Sequence, residues 1–145
     1  MRTRITLTYK DLDGNFAQET IWAEDLGEGR FKVDNIPFFA PNLALNDIIA
    51  AEEEDGILHF EQILEVSGHS TLQIIFFQPD QSSGVLARLE ALGCAWEGMK
   101  NQPYFSVDIP VSVDYPLVKN LLKAYCQKDI LDYREACLSL VHFKG

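Results

Sequence analysis

Basic residues are scarce in this sequence. Lysine and arginine together number 12 against 22 acidic residues, so the formal net charge is -10 and the isoelectric point is near 4.6. Such a chain repels the phosphates of nucleic acids and of anionic membranes, which excludes both as its main ligand. The negative charge is distributed unevenly, because residues 1–72 have a net charge of -9 and residues 73–145 a net charge of -1. An acidic half of this kind favours a positively charged protein as partner.

Cysteine is also rare. Cys94, Cys126 and Cys137 are widely spaced and form no C-x-x-C pair, which argues against a disulfide framework. We expect all three to be small buried hydrophobes in a reducing compartment. No apolar segment typical of a signal peptide follows Met1, and no apolar run has the length of a membrane span. These features predict a cytoplasmic protein.

Motifs for catalysis and metal binding are missing as well. His59, His69 and His142 form no H-x-x-x-H or H-x-H pair, and no serine lies in a G-x-S-x-G elbow. The only G-x-G carries Glu28 at its centre and precedes no helix, so it predicts a hairpin turn rather than a phosphate loop. We therefore expect a protein that is not an enzyme and that uses no cofactor and no metal.

The first half of the chain has the signals of β-structure. Residues 4–9 alternate between apolar and polar, and Gly-rich turns follow at residues 11–15 and 26–30. Residues 47–60 have partial helix propensity, but the Asp-Gly turn at their centre favours a hairpin. Residues 34–41 contain two prolines and predict an arched connection that presses two phenylalanines onto the core. Residues 1–68 are thus predicted as an acidic module, a small bent sheet or barrel of about five strands.

The second half changes character. Residues 70–77 form a nearly continuous apolar strand, typical of the centre of a sheet. Helix and strand patterns then alternate to give the order β-α-β-β-α-β, which predicts a ferredoxin-like module over residues 69–145. Ile74 and Phe76 oppose Ile75 and Phe77 across this strand, so the face of the sheet away from the helices must also meet something apolar, and we expect this to be the first module. The fold class is therefore α+β, with residues 67–70 as the joint.

Acidic side chains in the first half are the candidate partner-binding residues. The run at residues 52–55 is expected at a hairpin tip, where it is either merely solvated or one edge of a surface that meets a basic protein. Successive strand residues point to opposite faces, so this run is a poor cage for a divalent cation. The residues proposed for contact are Glu24, Asp25, Glu28, Glu52, Glu53, Glu54 and Asp55.

Four segments together resemble a known family. Residues 21–24, 29–40, 65–72 and 89–94 are similar to the bacterial family catalogued as domain of unknown function 4265, and the resemblance spans roughly residues 5–140. The family brings no established catalytic residues. Small acidic bacterial families of this kind often resemble immunity proteins, which neutralise secreted toxin domains.

Two functions follow as expectations. The first is an immunity protein that binds and blocks a basic antibacterial toxin domain, such as a nuclease or an ADP-ribosyltransferase. The alternative is a small-metabolite sensor, with a ligand cleft at the joint formed by Asn35, Ser67 and His69. In that cleft His69 is either a hydrogen-bonded structural residue or a contact to the ligand.

Overall fold

The computed structural model describes residues 2–143 as two sheets with flanking helices. Five strands close into a barrel in the first half, which confirms the predicted small barrel. Two-residue turns join β2 to β3 and β4 to β5, so the hairpin predicted at residues 47–60 is also confirmed. The strands are β1 (Arg2–Lys10), β2 (Phe16–Gly27), β3 (Arg30–Val33), β4 (Ile48–Glu54) and β5 (Ile57–Glu65).

The second half forms a four-stranded sheet with helices between its strands. The sheet has the order β7-β8-β6-β9, and its three strand pairs are antiparallel. A short 3-10 turn at Pro79–Gln81 precedes α1. The elements are β6 (Ser70–Phe76), α1 (Ser82–Ala91), β7 (Ala95–Gly98), β8 (Tyr104–Ile109), α2 (Tyr115–Cys126), β9 (Leu131–Cys137) and α3 (Leu140–Phe143). The predicted boundary between residues 68 and 69 lies between β5 and β6.

Each half has its own apolar core. The barrel interior is filled by alternate residues of its strands, among them Ile5, Ile21 and Ile49. In the second half, α1 and α2 cover one face of the sheet and bury Leu72 and Ile74 of β6. Within residues 2–143, no helix is long and apolar enough to cross a membrane.

The helix ends follow the sequence signals only in part. Pro116 lies in the first turn of α2, as expected from its fixed φ. Asp114 occupies the N-cap position, but its side chain makes no capping hydrogen bond. Gly93 ends α1 at a φ of +103°, where its N–H donates to the carbonyl of Glu90.

The connection between β3 and β4, residues 34–47, packs between the barrel and the second sheet. It contains no strand pairing of its own, so its backbone N–H groups need other acceptors. The carboxylate of Glu19 on β2 accepts the N–H groups of Phe38, Phe39 and Ala40 at 2.6, 3.0 and 2.9 Å. The two phenylalanines are half-buried and pack against Tyr104 of the second sheet, rather than lying in the barrel core.

Two further carboxylates hold the ends of this connection. Glu97 on β7 accepts the N–H of Ile36 at 2.9 Å, which ties the connection to the second sheet. Asp47 is 2% exposed and accepts the N–H groups of Ala44 and Ser67 at 3.0 and 2.8 Å. Hydrogen bonds to ionised acceptors are about twice as strong as neutral ones, so these three side chains fix the geometry between the two halves.

The face of the second sheet opposite the helices is more polar than expected. Glu97, Ser106, Gln73 and Arg134 are successive cross-strand neighbours on it, and the connection covers part of this row. The first module was expected to cover this face, yet Ile75 and Phe77 on it are 40% and 58% exposed. The barrel therefore meets this face through residues 34–47, and one corner of the sheet stays open.

Replacing Glu19 with glutamine tests how much the connection depends on its carboxylate. The amide has one oxygen in place of two and presents N–H groups to N–H groups, so we expect the free energy of unfolding to fall by about 2 kcal/mol or more. Urea denaturation measures it. Glu61→Gln is the control, since Glu61 is exposed and makes no side-chain hydrogen bond within residues 2–143. An equal, small effect of both changes would contradict the role given to Glu19.

Candidate functional site

The predicted acidic residues lie at two tight hairpin turns of the barrel. Glu28 and Gly29 form the turn between β2 and β3, with φ of +58° and +74°. Asp55 and Gly56 form the turn between β4 and β5, with φ of +55° and +81°. Two positive φ angles in a two-residue loop are the pattern of a type I′ turn, which matches the twist of the strands.

Strand register places both turns at the same end of the barrel. Gly27 pairs with Arg30 across the first turn, and Arg30 pairs with Ala50 of β4. From Ala50, β4 runs toward the end of the barrel at which this turn lies. It ends at Glu54, where the turn of the second hairpin begins. We call this the acidic end, defined by Glu24, Asp25, Glu28, Glu52, Glu53, Glu54 and Asp55.

The acidic end points away from the second sheet. β1 runs from Arg2, which pairs with Glu24, to Lys10 beside the β1–β2 turn. Leu12 in that turn lines a cavity together with Ile75 and Tyr104 of the second sheet. The two hairpin turns of the acidic end are therefore at the other end of the barrel from this cavity.

All seven side chains of the acidic end are exposed, and none forms an ion pair within residues 2–143. Three nearby arginines are engaged elsewhere. Arg2 binds Asp34 at 3.0 Å, and Arg30 binds Glu65 at 2.6 Å. The guanidinium of Arg4 stacks over Trp22, 4.8 Å from its ring centre. The negative charge of the acidic end is thus left largely uncompensated.

Two members of the acidic end are less available to a binding partner than the other five. Glu24 has Arg2 and Lys32 as its cross-strand neighbours, which offsets part of its charge. Asp25 accepts the N–H of Gly27 at 2.8 Å and so stabilises the first turn. The strongest negative potential is therefore expected at the second hairpin and at Glu28.

The joint between the halves is a second candidate site. Ser67 donates its hydroxyl to the carbonyl of Leu45 at 2.8 Å and accepts the N–H of His69 at 3.1 Å. The His69 ring nitrogen Nδ1 lies 2.8 Å from the nearer carboxylate oxygen of Asp108. Gly68 is required here, because its φ is +90° and an added Cβ would approach a methyl of Val111 to 2.8 Å. Ser67 and His69 thus lie in a tightly hydrogen-bonded loop.

A cavity of about 270 Å³ opens beside this loop. Two of its polar groups already have partners, since Asp47 accepts two backbone N–H groups and the Nδ1 of His69 contacts Asp108. Burial and the charge of Asp47 raise the pKa of the Cys137 thiol to about 11. The lining residues are Asn42, Asp47, Val66, Gly68, His69, Cys137, Leu138, Ser139, Leu140 and Val141.

Asn35 is not part of this cleft, so the sequence prediction that grouped it with Ser67 and His69 is wrong. Its side-chain oxygen accepts the N–H of Trp22 at 2.7 Å, and its amide nitrogen donates to the carbonyl of Ile36. The side chain therefore completes the edge of the barrel, where the chain leaves β3.

The remaining reactive side chains are inert by environment. Burial and the charge of Asp108 raise the pKa of Cys94 to about 11, and burial chiefly raises the pKa of Cys126. Thiols of this kind stay protonated at neutral pH and are poor nucleophiles. Cys94 is buried as expected, whereas Cys126 and Cys137 are only partly buried. Within residues 2–143, no three His, Cys, Asp or Glu side chains converge as metal ligands.

His142 and Asp108 were not identified from the sequence as structural residues. His142 is 3% exposed; its Nδ1 lies 2.6 Å from the hydroxyl of Ser70, and its Nε2 lies 2.9 Å from the carbonyl of Pro110. These contacts assign the proton to Nε2, so that Nδ1 accepts from Ser70. The partners are 72 and 32 residues away in sequence, so no local sequence pattern predicts these contacts.

The chain can be compared with known proteins at this point. A family model described as Domain of unknown function (DUF4265) matches residues 19–133, which confirms the resemblance predicted from the sequence. No curated protein matches the chain. A solved structure from Neisseria gonorrhoeae, described as a hypothetical protein, is similar in fold with a TM-score of 0.87. It is 36% identical in sequence, and 97% of each chain is covered.

Asp108 predicts a pH dependence of stability. Burial raises its pKa above the ordinary 3.8, and the hydrogen bond and charge of His69 offset part of the rise. Between 3.8 and the raised pKa, the native state keeps a proton that the unfolded state releases, so the free energy of unfolding falls as pH rises through this interval. The free energy of unfolding that is lost in this interval is not regained at higher pH.

Asp108→Asn removes this titration. The difference in unfolding free energy, wild type minus variant, is expected to decrease as pH rises from 3.8, and urea denaturation at closely spaced pH values measures it. Asp13→Asn, in an exposed turn, serves as the control and should give a difference without this fall. A difference for Asp108→Asn that rises with pH would contradict the assignment.

Proposed function

Because the chain belongs to the family described as Domain of unknown function (DUF4265), which assigns no activity, we propose a function from the geometry of the chain itself. The protein is a non-enzymatic binding protein that holds and blocks a basic protein partner through the acidic end. One observation carries this proposal: the seven carboxylates at the two hairpins are exposed and form no ion pair within residues 2–143.

The partner class follows from electrostatic complementarity. A compact group of carboxylates attracts a positive surface and raises the rate of association, most strongly at low salt. A toxin domain that acts on nucleic acids or nucleotides, such as a nuclease or an ADP-ribosyltransferase, presents a basic cleft for phosphates. Carboxylates of the acidic end would occupy the phosphate positions in that cleft. We therefore propose an immunity protein that acts in the cytoplasm against an antibacterial toxin.

The backbone of the acidic end supports a role for its charge. Glu28 occupies a φ of +58°, which glycine or asparagine adopts at lower cost than glutamate. A residue held in a less favourable conformation on an exposed turn is a reason to look for a function. Contact between a basic partner and the negative side chain at the tip of the turn would be such a function.

The second half supports a finer description of the fold. We propose that it is a ferredoxin-like module, because β6-α1-β7-β8-α2-β9 is the β-α-β-β-α-β order. The sheet order β7-β8-β6-β9 with antiparallel neighbours, and both long helices on one face, are in agreement with that topology.

The alternative of a small-metabolite sensor at the joint has less support. Of its three expected residues, only Ser67 and His69 lie together, and the Ser67 hydroxyl and the His69 Nδ1 are paired within the protein. A ligand that binds His69 Nδ1 would have to break its contact with Asp108. The acidic end, by contrast, needs no rearrangement to meet a partner.

Charge reversal tests whether association depends on the carboxylates of the acidic end or only on the net charge of the chain. We expect Glu52→Lys, Glu53→Lys and Glu54→Lys together to slow association with a fluorescent decalysine peptide by about tenfold or more at low salt. Stopped-flow fluorescence at several salt concentrations measures the rate. The control variant carries Asp13→Lys, Glu61→Lys and Asp80→Lys, which are exposed and change the net charge equally. Equal losses in both variants would mean that only net charge matters.

The biological assay uses the same pair of variants. Each is co-expressed with catalytic domains of nucleotide- or nucleic-acid-directed toxins that have basic clefts. Wild type and control are expected to restore growth against a cognate domain, and the Glu52–Glu54 reversal is not. Full protection by the reversal variant would contradict the proposal.

A further inference from the structure

The second sheet has an open edge at β9. This strand is the last in the order β7-β8-β6-β9, so among the described residues only β6 pairs with it. The carbonyl of Ile130 accepts the N–H of Phe77 from the side of β6, and backbone direction alternates along an antiparallel pair. The backbone groups of Leu131, Tyr133 and Glu135 therefore point outward, away from β6. A row of groups without a strand partner is a template for another strand.

The contacts along this edge agree with that direction. The N–H of Tyr133 is accepted by the carboxylate of its own neighbour, Asp132, at 2.9 Å. Asn42 of the connection donates its N–H to the carbonyl of Ala136 at 2.8 Å, so the connection closes the edge at that residue. The segment that is left for a strand partner is therefore residues 131–135.

The charges of this segment are complementary to themselves. Asp132 and Arg134 are exposed, flank Tyr133 and lie on the same face of β9. In an antiparallel pair of two β9 strands centred on Tyr133, Asp132 of each copy lies opposite Arg134 of the other. These would be non-hydrogen-bonded pairs, in which the side chains are closest. Centring the pair on Asp132 or on Arg134 would instead oppose two like charges, which is destabilising.

The backbone bonds of the same register can also be satisfied. Tyr133 lies opposite its own copy, so each Tyr133 N–H donates to the carbonyl of the other. The carboxylate of Asp132, which now accepts this N–H, is then released to Arg134 of the second copy. Arg134 has donors for it, because its Nη2 bonds the carbonyl of Phe39 at 3.1 Å and a guanidinium has five N–H groups.

The surroundings of the edge permit two copies to meet. Residues 73–145 have a net charge of only -1, and the acidic end points away from the second sheet. Repulsion between two acidic ends is therefore screened at physiological salt. Leu12 and Ile75, which are 89% and 40% exposed, line a cavity together with Asp132 and Arg134. A second β9 strand along this edge would cover part of that apolar surface.

We propose that β9 pairs with β9 of a second copy of this chain, antiparallel and centred on Tyr133, so that two four-stranded sheets become one sheet of eight strands. Opposed residues lie on the same face of the sheet, so the two-fold axis is perpendicular to it. Both pairs of long helices then cover one face, and both barrels lie on the other. The pairing is independent of the proposed function, since it requires no basic partner.

Sedimentation equilibrium of the full chain tests for this dimer. Because the paired segment is short, we expect a dissociation constant of about 10–300 µM at physiological salt. Asp132→Arg makes both flanking charges positive, and Arg134→Asp makes both negative, so each variant alone should dimerise about tenfold more weakly or worse. An equimolar mixture of the two variants restores both opposite-charge pairs and should dimerise about as tightly as wild type. Misfolded variants would not recover on mixing.

Matched controls place the same charge changes away from β9. Glu61→Arg on β5 and Lys100→Asp in the β7–β8 turn alter exposed charges and should change the dissociation constant less than about threefold, alone or mixed. A wild-type chain that stays monomeric up to about 1 mM would overturn the proposal. So would a mixture of Asp132→Arg and Arg134→Asp that dimerises no better than either variant alone.

NMR on a mixture of 13C-labelled and unlabelled wild-type chains determines the register. An NOE is expected between the Hα of Asp132 in one copy and the Hα of Arg134 in the other, because the two strands are closest at non-hydrogen-bonded pairs. A dimer without this NOE, or one whose intermolecular NOEs arise from another segment, would contradict the proposed pairing.

Discussion

The two halves of this protein are held together by carboxylates that accept backbone N–H groups. The connection between β3 and β4 packs between two sheets without pairing to either as a strand, so its N–H groups need acceptors outside a strand ladder. Backbone carbonyls accept some of them, among them that of Asn42, which donates to Ala136. Glu19 from the barrel and Glu97 from the second sheet accept four others, and Asp47 accepts those of Ala44 and of Ser67 at the joint. Without these carboxylates, five backbone donors of the connection would lose their acceptors.

This constraint divides the acidic residues into two groups. Glu19, Asp47 and Glu97 are used by the fold, and Asp34 and Glu65 are paired with arginines. The members of the acidic end other than Asp25, which stabilises its own turn, belong to the other group, since they contribute little to packing and lie on hairpins that point away from the joint. Negative charge that the fold does not use is available to a partner, and for that reason the proposed function rests on these residues rather than on the net charge of the chain.

The parts that were predictable from sequence are those with local causes. The turn at Asp55 and Gly56 follows from residue types that tolerate positive φ, and the apolar run of β6 follows from burial on a central strand. The connection was predicted only as an arch, because its acceptors Glu19 and Glu97 lie 19 to 61 residues from the donors they bind. Asn35 was placed in the wrong site for the same reason: its amide is used by Trp22, thirteen residues earlier. The open corner at Gln73 depends on which face the connection covers, and no single segment encodes that.

Amide hydrogen exchange at Phe38, Phe39 and Ala40, read by NMR on the full chain, tests the carboxylate-held connection most directly. If Glu19 fixes these groups, their amides exchange at least about a thousandfold more slowly than in an unstructured peptide, close to the slowest amides of the barrel. Exchange as fast as that of the solvated turn at Asp55 and Gly56 would contradict it, because the connection would then open without unfolding the protein.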